Sequence, residues 1–362
     1  MSSSIRFLFN ILWMTVALAF SMDAAARTRL FQQHNLVSDG FVAADHVDPN
    51  LVNPWGLAFG VTSPGWVANN GTGTATIYDG NGNAVPLVVT IPGATAGISG
   101  TPSGVVANNT GGWVVTRNGK SAPAAFIFAA EDGTISGWSA DVDAATAVTA
   151  VNNALNGAVY KALTIGGDGQ RLLLYVTNFN AGKVEVFDDQ FNPVVLPNGF
   201  VDPGLPAGYA PFGIQNAEGV IYVTYGLQDK QKHDAVNGVG LGIVSAFDTQ
   251  GNFLHRVATG GKLNAPWAVV LSPANFALAG SRLLIGNFGD GKINIFDSAS
   301  NQFYGQLLGS DGRPIRIDGL WSLVFGNGLN NQPTNALFFT AGPQNESHGL
   351  YGVITPLERP SA

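Results

Sequence analysis

Two short segments hold the side chains best suited to acid-base or metal chemistry. His233 and Asp234 close the run Gly226-Leu227-Gln228-Asp229-Lys230-Gln231-Lys232-His233-Asp234, and Glu346 and His348 stand two apart in Gly342-Pro343-Gln344-Asn345-Glu346-Ser347-His348-Gly349. Imidazole and carboxylate groups serve equally as proton carriers and as metal ligands, and as ordinary solvated loop side chains. A second set, Asn53, Asn178, Asn287 and Asp318, offers neutral and anionic oxygens. Such oxygens suit calcium, which takes six to eight of them. The competing reading of the asparagines is turn chemistry, because Asn satisfies loop backbones beside glycines such as Gly182 and Gly289. A third set, Trp55, Trp267 and Trp321, provides flat apolar faces, either as a stacking platform for a sugar or other flat ligand or as core packing between sheets.

These residues lie up to three hundred positions apart, so only a repeating architecture brings them together. One is present. An opening segment recurs as Asn53-Pro54-Trp55-Gly56-Leu57, Thr101-Pro102-Ser103-Gly104-Val105, Ala210-Pro211-Phe212-Gly213-Ile214, Ala265-Pro266-Trp267-Ala268-Val269 and Gly319-Leu320-Trp321-Ser322-Leu323, with a degenerate copy at Ala158-Val159-Tyr160. Taking Trp55, Ser103, Tyr160, Phe212, Trp267 and Trp321 as equivalent gives spacings of 48, 57, 52, 55 and 54 residues. Periods of this size mark propellers and solenoids. Each unit continues with short β-branched and aromatic runs separated by Gly- and Asn-bearing turns, as in Leu174-Tyr175-Val176-Thr177-Asn178 followed by Val184-Glu185-Val186-Phe187-Asp188. Runs of this length and composition are strands.

The pattern predicts an all-β, six-bladed β-propeller of four-stranded blades spanning residues 27–362. The sixth unit runs out one strand short, and Leu30 to Val37 is expected to supply that strand. Asp141 to Asn156 reads as a short helix between blades two and three, and Pro193 to Pro211 as a connection before blade four. In a propeller the first strand of each blade descends from one face and the second returns to it. Asn53, Trp55, Trp267, Asp318 and Trp321 are thereby expected to share a face with Asn178 and Asn287, with the loops bearing His233, Asp234, Glu346 and His348 above them.

Composition sets limits. Charged residues make up 11% of the 362, under half the usual share of about 25%. The net charge of −7 offers no basic stripe for nucleic acid. The absence of cysteine removes disulfides, zinc-thiolate sites and thiol nucleophiles. No G-x-S-x-G, H-E-x-x-H or P-loop pattern occurs. Residues 1–26 hold one cation at Arg6, an apolar run from Phe7 to Phe20 and small residues at Ala24, Ala25 and Ala26. They read as a cleaved secretory signal, too short to span a bilayer. The expectation is a periplasmic or secreted protein with no membrane segment after cleavage.

Asn35-Leu36-Val37-Ser38-Asp39, the Asn-Pro-Trp-Gly-Leu and Ala-Pro-Trp-Ala openings, and Gly286-Asn287-Phe288-Gly289-Asp290-Gly291-Lys292 together resemble an uncharacterised family of exported bacterial propellers related to NHL-repeat proteins. Some of its members carry a PEP-CTERM sorting signal, which the residues after Pro356 do not match. The resemblance implies a six-bladed ring and transfers no catalytic residue. Two functions stay open: a binding module for a protein, peptide or saccharide at the channel mouth, and a calcium-dependent hydrolase of lactonase or esterase type with its metal in the channel.

Overall fold

A computed structural model describes residues 29–357, so the leader expected over residues 1–26 lies outside the described residues. The chain forms the predicted six-bladed β-propeller. Blade one is built from Pro54–Phe59, Gly65–Asn69, Thr74–Tyr78 and Val89–Thr90, each strand antiparallel to the next. Blades two to five open with Pro102–Ala107, Tyr160–Gly167, Tyr209–Ala217 and Pro266–Leu271 and repeat the same order outwards. Blade six joins Leu320–Phe325, Leu337–Ala341 and Leu350–Pro356 to the N-terminal strand Leu30–Ser38. The N-terminal strand pairs antiparallel with Leu350–Pro356, Gln33 opposite Ile354, so both ends of the described chain share one sheet.

Alternation along the strands places large side chains between neighbouring blades. Trp66 of blade one packs on Phe126 and Trp138 of blade two, with ring centres 4.3 and 4.5 Å apart. Leu36, Val37 and Tyr351 of blade six meet Leu57, Val67 and Tyr78 of blade one in another cluster. Each such buried side chain contributes about 1.5–3 kcal/mol, and a closed ring leaves no blade without two neighbours.

Two local expectations are corrected. The stretch read as a helix, Asp141 to Asn156, contributes Val148–Asn152 as the outer strand of blade two and only a 3-10 turn at Ala154–Asn156. Its β-branched valines and Thr149 favour pairing with the neighbouring strand. Pro193–Val194, read as part of a connection, is the short outer strand of blade three.

The turns from third to fourth strands lie on the face opposite the channel mouth and are tied by side chains. Asp79 accepts bonds from the backbone of Asn81 and Asn83, and Asp188 from Gln190 and Asn192, each with a further bond from the distal Asn amide. Burial opposes ionisation of both, but the donated bonds outweigh it and hold both carboxyls below the ordinary aspartate value. Asp202 is lowered in the same way, burial being outweighed by Arg256 and Ser245. A depressed carboxyl stabilises the fold above its unfolded pKa, about 3.9, and loses that contribution as pH falls through the folded value. The urea midpoint is therefore expected to drop as pH falls from about 5 to about 2, and the Asp79→Asn/Asp188→Asn double variant to drop less steeply over that window.

Candidate functional site

Every blade brings the start of its first strand and the end of its second to the same face, and the pairing register defines which residues are equivalent. Pro54 lies opposite Asn69, Tyr160 opposite Asn178 and Pro266 opposite Asn287. Tyr160 thus holds the proline place, and the residue equivalent to Trp55 in blade three is Lys161, one position on from the sequence assignment. The inner ring is Trp55, Ser103, Lys161, Phe212, Trp267 and Trp321. The register slips beside this ring in every blade, for example between Pro54 and Leu57 and between Tyr160 and Leu163. Such bulges re-aim side chains. The residues after the paired second-strand ends, Asn70, Glu131, Phe179, Gly226, Phe288 and Gly342, form a second ring above the first.

Trp321 lies at the centre. Its ring stacks on Trp55 at 3.7 Å and on Phe288 at 4.0 Å, and meets Phe212 and Trp267 edge-on. Trp55 and Trp321 are 2% and 1% exposed. Of the two readings of the tryptophans, packing describes these two: they plug the channel, while Trp267 lines a cavity of about 40 Å³ in the channel.

Around that plug stands a polar network. The Lys161 side chain is fully buried; its ammonium bonds Glu131, bonds Asp234 Oδ1 at 3.1 Å and lies 4.9 Å from the ring centre of Trp55. His233 Nδ1 is 3.0 Å from the same Asp234 oxygen. The amide of Asn70 donates to Glu131 at 2.7 Å, and that of Asn53 to Glu346 at 2.9 Å, while the Asn53 oxygen accepts the indole N–H of Trp321 at 3.1 Å. Four blades and two long loops thus converge. Burial raises Asp234, but Lys161 and His233 outweigh it and hold its carboxyl below the usual range. Glu346 moves the other way: burial pushes it up, and the charges of Glu131 and Asp234 add to that against the amide of Asn53 and Lys161. Glu346 also follows two residues in left-handed conformation and is itself at φ 68°. Non-glycine residues held so cost about 1 kcal/mol or more apiece and concentrate at functional sites.

The sequence-predicted residues divide accordingly. Asn53, Asp234 and Glu346 enter the network, with His233 at its edge. His348 turns away: its Nδ1 meets Asp39 at 2.7 Å and its ring stacks on Phe41 at 3.9 Å. Asn178 serves its own blade, accepting from the backbone of Val159 and Ala181 and donating to Glu185. Asn287 donates to Asp290 and the Lys262 carbonyl, and Asp318 accepts from the Gln344 backbone. None of these three shares a hydrogen bond with another. Among the described residues, the His, Asp and Glu side chains near enough to hold one metal ion are Glu131, His233 and Asp234, whose ligand atoms lie within 4.8 Å of one another. Lys161, Glu131 and Asn70 are additions to the sequence-derived set. The available signal was a lysine at a ring position otherwise aromatic or serine.

Comparison with known proteins finds relatives that match most of the chain. The uncharacterized protein R648 of Acanthamoeba polyphaga mimivirus is 34% identical over 326 residues, covering 88% of this chain and 78% of that one. The uncharacterized protein L690 of the same virus is 31% identical over 326 residues, covering 88% and 84%. No family model matches the sequence. Among solved structures, a streptogramin B lyase superposes with TM-score 0.51 at 12% identity over 90% of this chain and 97% of its own. The PQQ-bound aldose sugar dehydrogenase of Streptomyces coelicolor gives 0.51 at 11% identity over 90% and 98%. At such identities the likeness is one of fold.

Proposed function

This chain belongs to the family of the mimivirus proteins R648 and L690, and we propose that it is an exported binding module that takes its ligand at the polar mouth of its ring. The observation that carries this reading is Lys161. The other ring positions are aromatic or serine, so closing a ring needs no charge there. Blade three nevertheless buries an ammonium, whose desolvation costs several kcal/mol, and Glu131 of blade two and Asp234 of the blade-four loop are held against it. Charges gathered in this way at the mouth of a ring make it the candidate functional site. Export belongs to the same reading and rests on the leader pattern of residues 1–26. Saccharides, peptides and a protein surface are the ligand classes such a mouth admits.

A metal-dependent hydrolase is the second reading, favoured by the close approach of Glu131, His233 and Asp234. Calcium or another divalent ion would then sit on these groups and not on Asn178, Asn287 and Asp318. Lys161 already supplies positive charge to both carboxylates, which weighs towards the binding module. One thermal-shift panel separates the two, with oligosaccharides, short peptides, calcium and a chelator as probes. A saturating ligand at a hundred times its Kd adds about 2.7 kcal/mol, so a matching probe is expected to raise Tm by several degrees in the wild type and not in Asp234→Asn. A Tm that falls on chelation and recovers with calcium selects the hydrolase. A panel without any shift overturns the binding reading.

A further inference from the structure

We infer that the blade-six loop Gly342–Gly349 is a lid over the mouth, closed against its own backbone strain and opening as a unit to uncover the Trp321 plug. The run Gln344, Asn345 and Glu346 makes one turn of left-handed helix, with φ of 54°, 53° and 68°. L-residues visit that conformation singly, glycine and asparagine most readily, because Cβ crowds the following carbonyl. Elsewhere among the described residues, non-glycine positions of positive φ stand alone or as the asparagine pair Asn330 and Asn331. Strain of this kind persists only where the surroundings enforce it.

Few contacts do so here. Between Pro343 and Leu350 the loop has no apolar side chain, and Gln344, Asn345 and Ser347 are exposed. Segments with so little buried apolar surface open at a lower free energy than the core around them. Side chains clasp the loop at three places: Asp318 Oδ2 accepts the backbone N–H of Gln344 at 2.9 Å, Glu346 accepts the Asn53 amide at 2.9 Å, and His348 meets Asp39 at 2.7 Å. The middle clasp ties the lid to the plug, since the same Asn53 side chain accepts the indole N–H of Trp321. Gly342, at the root of the loop, lies so close over this pair that a Cβ there would come within 2.3 Å of Asn53 Oδ1 and 3.2 Å of Trp321 Nε1. Opening therefore relieves three strained residues and frees Asn53 to leave the Trp321 indole. In the binding reading above such a lid gates entry to the mouth, but the movement needs no ligand and is tested without one.

Hydrogen exchange of the full chain tests the lid, followed by NMR at the backbone amides of Gln344, Glu346 and His348 and at the Trp321 indole. In the wild type these four groups are expected to open together, well before the amides of the flanking strands Leu337–Ala341 and Leu350–Pro356. Asp318→Ala removes one clasp and is expected to speed all four several-fold. Gln344→Gly relaxes one strained position, a gain larger than the extra freedom glycine gives the open loop, and is expected to slow all four about threefold. The indole of Trp113, wholly buried in the cluster between blades two and three, is the control and is expected to keep its rate in both variants. Loop amides that respond while the Trp321 indole does not describe a loop that frays without uncovering the plug, and overturn the lid. Loop exchange at the rate of the flanking strands overturns it too, as does a Gln344→Gly variant that exchanges as fast as the wild type or faster. Should Asp318→Ala fail to fold, Gln344→Gly alone decides. Failure of the lid leaves the binding reading to its thermal-shift panel, and a panel without any shift leaves the lid standing.

Discussion

Lys161→Met is expected to lower the unfolding free energy by about 3–5 kcal/mol, the range seen when one partner of a buried ion pair is removed. Methionine fills nearly the same volume but gives up the ammonium's place over the Trp55 and Phe179 rings, so the loss combines that attraction with the carboxylate it leaves behind. Glu131 is largely buried and would keep only the amide of Asn70 as a side-chain partner. Asp234, which is largely exposed, recovers its solvation in water and contributes little to the loss. The Lys161→Met/Glu131→Gln double variant is therefore expected to regain most of the stability, since a neutral amide beside an apolar chain strands no charge. Urea unfolding of the wild type, both single variants and the double variant measures the coupling. If the double variant is as unstable as the sum of the singles, Lys161 acts through packing and not through charge. The same cycle bears on function, because the double variant restores the scaffold without restoring the network at the mouth.

The residues of that network show what a single sequence can and cannot convey. The blade repeat was legible because most first strands open with a proline ahead of an aromatic ring residue, and strand pairing keeps the units close to one spacing. Lys161 escaped for a physical reason. Aligning the units on aromatic bulk puts Tyr160 in the ring, whereas the ladder is ruled by hydrogen-bond register and places Tyr160 opposite Asn178. The Tyr160 hydroxyl in fact leaves the axis, donating to Glu185. Glu131 was hidden likewise, since it stands where blade one has Asn70 and blade three Phe179, positions related by register and by nothing in side-chain type. The blade-four and blade-six loops were correctly set above the mouth by strand direction alone. The separation of Glu346 from His348 was not legible, because it depends on left-handed backbone at Gln344, Asn345 and Glu346. Glycine, and less strongly asparagine, announce that conformation in a sequence, and Gln344 and Glu346 are neither.

Removing residues 27–38 is expected to abolish cooperative folding altogether. These residues include the whole of the strand Leu30–Ser38, which lies along the whole length of Leu350–Pro356. Phe31 is packed on Phe276 at 4.9 Å between ring centres, and Leu36 and Val37 belong to the cluster joining blade six to blade one. Burial of those three side chains contributes about 5–9 kcal/mol, which is comparable with the whole net stability of a domain, about 5–15 kcal/mol. The deletion also removes the parallel partner of Leu308–Gly309, so the junction of blades five and six weakens at the same time. An open ring exposes Leu350–Pro356 as an unpaired edge, and such edges aggregate. A synthetic peptide of residues 29–39 added during refolding is expected to restore the far-ultraviolet spectrum and a cooperative transition, because strand addition to a vacant edge supplies both the backbone bonds and the buried side chains. A truncated chain that melts at the wild-type temperature without the peptide would show that blade six closes by other means. The network at the mouth depends on this closure, since Asn53 follows the N-terminal strand directly into blade one and reaches Trp321 and Glu346 only because blade six stands beside it.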